Sequence, residues 1–173
     1  MNDGTARLIS VLRQLPPPRR VLDLGCGDCR DAAAYYESGW SPDTLLVGLD
    51  LDFHTLRQTN KRAIHPVQAD LMHLPLRARF DLILVRHPDV ARQPAAWEFA
   101  LNHLIGWLAD PGSVLITTYS VLEVDTLRGW LAGNTLKLLA LDTSRLAAPG
   151  LAGRDRFVMA YFTTGASRPH SPA

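Results

Sequence analysis

The sequence predicts an α/β protein: a doubly wound, mainly parallel seven-stranded sheet with an antiparallel last strand. Three observations lead there. Five short apolar runs alternate with segments of helical period, the pattern of repeated strand–helix units. Each run is almost wholly apolar rather than alternating, so each strand is covered on both faces, as parallel strands are. The two final runs have no helix-length segment between them and are expected to pair antiparallel.

In chain order, Thr5 to Leu15 sets Leu8, Ile9, Leu12 and Leu15 at helical spacing, and Pro16-Pro17-Pro18 ends that helix. Arg20 to Leu24 is strand one, closed by Gly25. Asp28 is placed to cap a helix reaching about Glu37, with Gly39 near its end. Thr44 to Asp50 is strand two, followed by a helix over Phe53 to Arg62. Pro66 to Ala69 is a short third strand, and Phe80 to Arg86 the fourth and most apolar. Gln93 to Ala109 reads as a long helix stopped by the turn residues Asp110-Pro111-Gly112. Ser113 to Tyr119 is strand five, Val121 to Leu131 a helix, and Thr135 to Leu141 with Arg156 to Thr164 the closing pair. Right-handed crossovers leave the doubly wound arrangement as the leading topology. Residues 1–164 are expected to form one domain, 1–18 being its helix and proline linker, and 165–173 a disordered tail.

Composition narrows the function. The 173 residues carry 18 basic and 17 acidic side chains, a net charge of +1 without the basic excess that marks a nucleic-acid binder. No apolar run reaches the ~20 residues of a spanning helix, and the first ten residues do not read as a secretory signal, so no membrane partner and a cytoplasmic setting are expected. Two cysteines are too few for a disulfide framework.

Ligands of open α/β sheets bind beyond the carboxyl ends of the strands. There the sequence places Asp23-Leu24-Gly25-Cys26-Gly27 after strand one, Asp50 after strand two, Asp70-Leu71-Met72 after strand three and Arg86-His87-Pro88 after strand four. Gly25 and Gly27 let the backbone approach a ligand closely. The next helix aims its unpaired N–H groups and positive dipole end at that ligand. Asp50 can accept from both hydroxyls of a ribose, Asp70 can accept from an exocyclic amine, and Leu51, Leu71 and Met72 can cover a purine.

These segments, VLDLGCGDC, VGLD, QADLMHLP and FDLILV, with the weaker DPGSVLITT, resemble the class I S-adenosylmethionine-dependent methyltransferases, whose sheet is Rossmann-like. Order and spacing match over about Arg19 to Tyr119. The resemblance implies that S-adenosylmethionine is the cofactor, with Asp23, Gly25 and Gly27 at its methionine end, Asp50 on the ribose, and Asp70 with Leu71 at the adenine; Cys26 and Leu51 are expected in the same cofactor site. Arg86 falls in the cofactor site as well and is also a candidate to grip an acceptor carboxylate or phosphate. His87 is a candidate base, since imidazole titrates near neutrality, and Tyr119 is a second lining residue. Cys29 replaces the family's third loop glycine, a place that tolerates a small residue if its φ is negative.

Other readings fit less well. A dinucleotide site wants G-x-G-x-x-G, and Arg30 stands at the third glycine; no G-K-[ST] follows the loop for a P-loop. Cys26 and Cys29 have redox-pair spacing, but a structural zinc needs four ligands, and the plain expectation is that both fill a loop packed on the sheet. No metal site is expected. The acceptor is expected to be a small molecule meeting an open face, unless the N-terminal helix or a second subunit, as in a homodimer, closes it. The D/N-P-P-Y signature of enzymes that methylate exocyclic amines of bases or protein glutamine is absent after strand four. A cofactor-binding sensor or partner subunit without catalysis is the alternative.

Overall fold

The computed structural model describes residues 3–29, 32–59, 64–74, 76–132, 137–139 and 156–163. Helix α1 (Asp3–Leu12) precedes strand β1 (Arg20–Leu24), and α2 (Ala32–Glu37) leads to β2 (Leu45–Asp50). A single helical turn, α3 (Phe53–Leu56), precedes β3 (His65–Gln68), and a 3-10 turn follows over Leu71–His73. Then come β4 (Phe80–Arg86), α4 (Pro94–Trp107), β5 (Leu108–Thr118), α5 (Val121–Leu131), β6 (Lys137–Leu139) and β7 (Phe157–Phe162). The tail expected at 165–173 lies outside the described residues.

The seven strands form one sheet in the order β3-β2-β1-β4-β5-β7-β6. The first five are parallel, and β7 runs antiparallel to both β5 and β6. The chain reverses its winding between β1 and β4, which makes that gap the switch point. Strand pleat sends alternate residues to opposite faces. Leu22, Leu24, Ile83, Val85, Val114 and Ile116 pack with α4 and α5 on one face. Val21, Leu82, Leu84 and Leu115 pack with α1 and α2 on the other. The same parity carries Asp23, Gly48 and Arg86 to the α2 face, and this decides what the site contains.

Several boundaries differ from expectation. Asp28 lies in a turn, and α2 spans Ala32–Glu37, with the Ala32 N–H donating to the Cys29 carbonyl. Helix α3 ends at Leu56 rather than Arg62, and Asp52 caps its start by accepting from the His54 N–H. Residues 60–62 of the expected helix lie outside the described residues. The Asp110-Pro111-Gly112 turn lies within the span of β5: pairing with β4 starts at Leu108, breaks, and resumes at Ser113.

Candidate active site

The loop after β1 is tied to the end of β2. The N–H groups of Gly25 and Cys26 both donate to the Leu49 carbonyl, and the Gly27 N–H donates to Asp50 Oδ2 at 2.8 Å. Asp50 Oδ1 accepts from the Asp52 N–H. One carboxylate thus stitches the glycine loop to the next turn, and its remaining lone pairs stay available. Gly25 and Gly27 stand at φ +67° and +58°, where only glycine is unstrained. A Cβ on Gly25 would also come within 2.9 Å of the Trp97 ring of α4, so this glycine is required by close approach as well.

Cys29 has φ +51°, so the negative φ on which a small residue would be tolerated in place of glycine is not met. The two sulfurs explain how the loop sits. Cys29 Sγ donates to Cys26 Sγ at 2.7 Å, and a Cβ at Gly48 would press on both sulfurs at 2.8 and 2.9 Å. The bare α-carbon of Gly48 in β2 is the floor on which the thiols rest. The Cys26 thiol is pushed well up in pKa by its hydrogen bond with Cys29, then by burial, then by the Asp23 charge. It therefore stays un-ionised at neutral pH, which opposes a reactive-thiolate role.

Two cavities flank Gly25 and share His87. One, of about 200 Å³, is lined by Asp23, Gly25, Cys26, Gly27, Asp28, Cys29, Tyr35, Arg86, His87 and Tyr119. The other, of about 180 Å³, holds Asp50, Leu51, Asp70 and Leu71 on one side and Asp89, Gln93, Ala96 and Trp97 on the other. Every expected site residue lines one of the two, apart from Met72, which is exposed and absent from both linings. Asp70 caps the 3-10 turn by accepting from the Met72 N–H, and that bond, with His73 beside it, holds its pKa below the usual carboxylate value.

Beneath the first cavity, Tyr35 donates its hydroxyl to Asp23 Oδ2 at 2.8 Å, and Arg86 hydrogen-bonds the same hydroxyl. Asp89 lies within ion-pair distance of Arg92, and Asp110 accepts from Thr163. His87 stands at φ +52° with its ring against Tyr119, centroids 4.3 Å apart. A non-glycine residue in this region is strained, and such residues gather at functional sites. Sequence reasoning missed Tyr35, Trp97, Gln93 and Gly48. Each depends on which helix face meets the sheet or on what a bare α-carbon supports.

Residues 21–112 match the family model described as a methyltransferase domain. The chain belongs to the methyltransferase domain family. A malonyl-[acyl-carrier protein] O-methyltransferase from Legionella pneumophila is 30% identical over 130 residues, 69% of this chain and 38% of that protein. The chain thus spans well under half the length of that curated relative. Among solved structures, a TehB-like SAM-dependent methyltransferase from Corynebacterium glutamicum superposes with a TM-score of 0.66 at 23% identity, over 92% of this chain and 86% of that one. The SAM-bound amino pentose methyltransferase CalS10 from Micromonospora echinaspora gives 0.68 at 14% identity, over 94% and 91%. Both share the fold of this methyltransferase domain. S-adenosylmethionine is the cofactor of this class, and the site suits it. Two glycines clear a path at φ values only glycine takes freely, a cation and an anion lie at one end, and carboxylates line the other. Among the described residues no helix is long and apolar enough to cross a membrane, and no three His, Cys, Asp or Glu are grouped to hold a metal.

Proposed function

We propose that this domain transfers a methyl group from S-adenosylmethionine to a small-molecule acceptor that enters on the His87–Tyr119 side. The observation that carries this reading is the pair of cavities joined across Gly25, one lined by Asp23 and Arg86 and the other by Asp50 and Asp70. On this reading Asp23 and Arg86 hold the methionine end, the loop of Gly25, Cys26 and Gly27 supports it, Asp50 takes the ribose, and Asp70 with Leu51 and Leu71 takes the adenine. The cofactor supplies an electrophilic methyl on a positively charged sulfur. The protein's part is mainly in-line positioning of the acceptor, which by itself lowers the barrier substantially. His87, which lines both cavities, takes the acceptor's proton where the acceptor carries one. The net charge of +1 gives no support to a nucleic-acid acceptor.

A second reading has its own support: the acceptor is an acyl group carried on a protein. The Legionella relative is named for such an acceptor, and Tyr119, Val121 and Leu122 leave an exposed apolar edge beside the first cavity. One experiment separates the two. Radiolabelled S-adenosylmethionine is incubated with the protein and a cell extract split into metabolite and macromolecular fractions. Label in the metabolite fraction supports the first reading, and label on a small acidic protein the second. Label on RNA or DNA, with salt-sensitive binding, would overturn both. With the acceptor in hand, His87→Ala should cut turnover and leave cofactor affinity nearly unchanged; turnover within a few-fold of wild type removes His87 as the base.

A further inference from the structure

We infer that Tyr35 is a positioning residue that locks Asp23 and Arg86 into one paired grip for the ammonium and carboxylate of the cofactor's amino-acid end. The inference rests on the cofactor reading above and assigns a role to a residue outside it. Strand pairing sets Asp23 opposite Leu84, so Arg86, two residues on, points to the same face and is its diagonal neighbour. Both charges therefore face α2, and Tyr35 is the α2 residue that reaches them. Tyr35 is 1% exposed and its ring packs against Trp40 at 5.4 Å, so its hydroxyl has little freedom. A phenol hydroxyl has one proton to give and lone pairs to accept with. Here it gives the proton to Asp23 and meets Arg86, which carries only donors, with a lone pair. That arrangement is satisfied in one orientation, and it holds anion and cation side by side along the cavity wall. Burial, reinforced by the Asp23 charge and opposed by Arg86, raises the Tyr35 pKa well above the ordinary phenol value, so the proton stays in place. The cavity wall thus presents opposite charges a fixed distance apart, the complement of an α-amino acid and of nothing in adenosine itself.

The test compares three probes on Tyr35→Phe and on wild type by calorimetry: S-adenosylhomocysteine, 5′-methylthioadenosine, which lacks the amino-acid end, and the decarboxylated homocysteine analogue. Wild type should prefer S-adenosylhomocysteine over both others. Tyr35→Phe should lose about tenfold or more for S-adenosylhomocysteine, the effect of removing a hydrogen bond to a charged group, and hold 5′-methylthioadenosine within two-fold. Equal losses for all probes would mean that Tyr35 only supports the fold, and unchanged affinities would mean that it supports nothing here; either result overturns its role while leaving the cofactor site standing. A wild type that does not distinguish S-adenosylhomocysteine from 5′-methylthioadenosine overturns the grip itself. If the variant does not fold, wild type labelled with ¹³Cζ-tyrosine gives the same decision. The Tyr35 resonance, assigned by elimination with Phe variants of the other three tyrosines, should shift with S-adenosylhomocysteine and not with 5′-methylthioadenosine. A resonance that responds to both alike or to neither overturns the inference.

Discussion

At the scale of single residues, the site is built from side chains that serve both the loop and the ligand. Asp50 is the clearest case, since it holds Gly27 and Asp52 and also faces the second cavity. Asp50→Ala should weaken S-adenosylhomocysteine on the order of tenfold or more, because hydrogen bonds to a charged acceptor are worth about 1.5–3 kcal/mol each. Calorimetry returning wild-type affinity would remove Asp50 from the site. The thiols give a pH-dependent prediction. The raised pKa of Cys26 means that alkylation requires alkali, so at pH 7 iodoacetamide should react much more slowly than with a free thiol and speed up as pH rises. Rapid labelling at pH 7 would restore the reactive-pair reading of Cys26 and Cys29. The acids and glycines were legible in the sequence because their chemistry is local: a residue type follows a strand end. Tyr35 and Gly48 were not, because their roles come from the faces that α2 and β2 present to the loop.

At the scale of elements, the strands were legible and the short helices were not. A buried parallel strand is a run of apolar residues, and such runs are visible at β1, β2, β4 and β5. Helix α3 had periodicity to Arg62 but is a single turn, capped at its start by Asp52, which accepts from the His54 N–H and the Thr55 hydroxyl. The start of α5 shows how an element serves the site. Ser120 and Glu123 form a reciprocal cap, and Glu123 Oε2 also accepts from the Tyr119 N–H at 2.8 Å. The cap therefore fixes the residue whose ring packs against His87. Glu123→Ala should cost about 1 kcal/mol, which lowers Tm by about 2–4 °C in a domain of this size. It should raise KM for the acceptor and leave cofactor affinity alone. A thermal scan matching wild type would show that the cap contributes nothing.

At the scale of the whole molecule, α1 packs against α2 on one face of the sheet. The described strands form one sheet that runs from β3 at one edge to β6 at the other. A protein ending at Ala132 should lose this integrity, because residues Ser113 to Thr118 of β5 pair with β7 along their whole length. Such a protein would expose a long apolar strand edge and should elute as aggregate in size-exclusion chromatography. A monomeric truncated protein that still bound S-adenosylhomocysteine would show the closing pair to be dispensable. The position of β7 between β5 and β6 also has a consequence for biosynthesis. Among the described strands, β7 is made after β6 yet lies in the interior of the sheet, so β6 lacks its described neighbour until Phe162 has been made. The cofactor loop and its supporting strands are complete long before then, and S-adenosylmethionine present during translation would meet a finished binding end on a sheet whose far side is still unzipped.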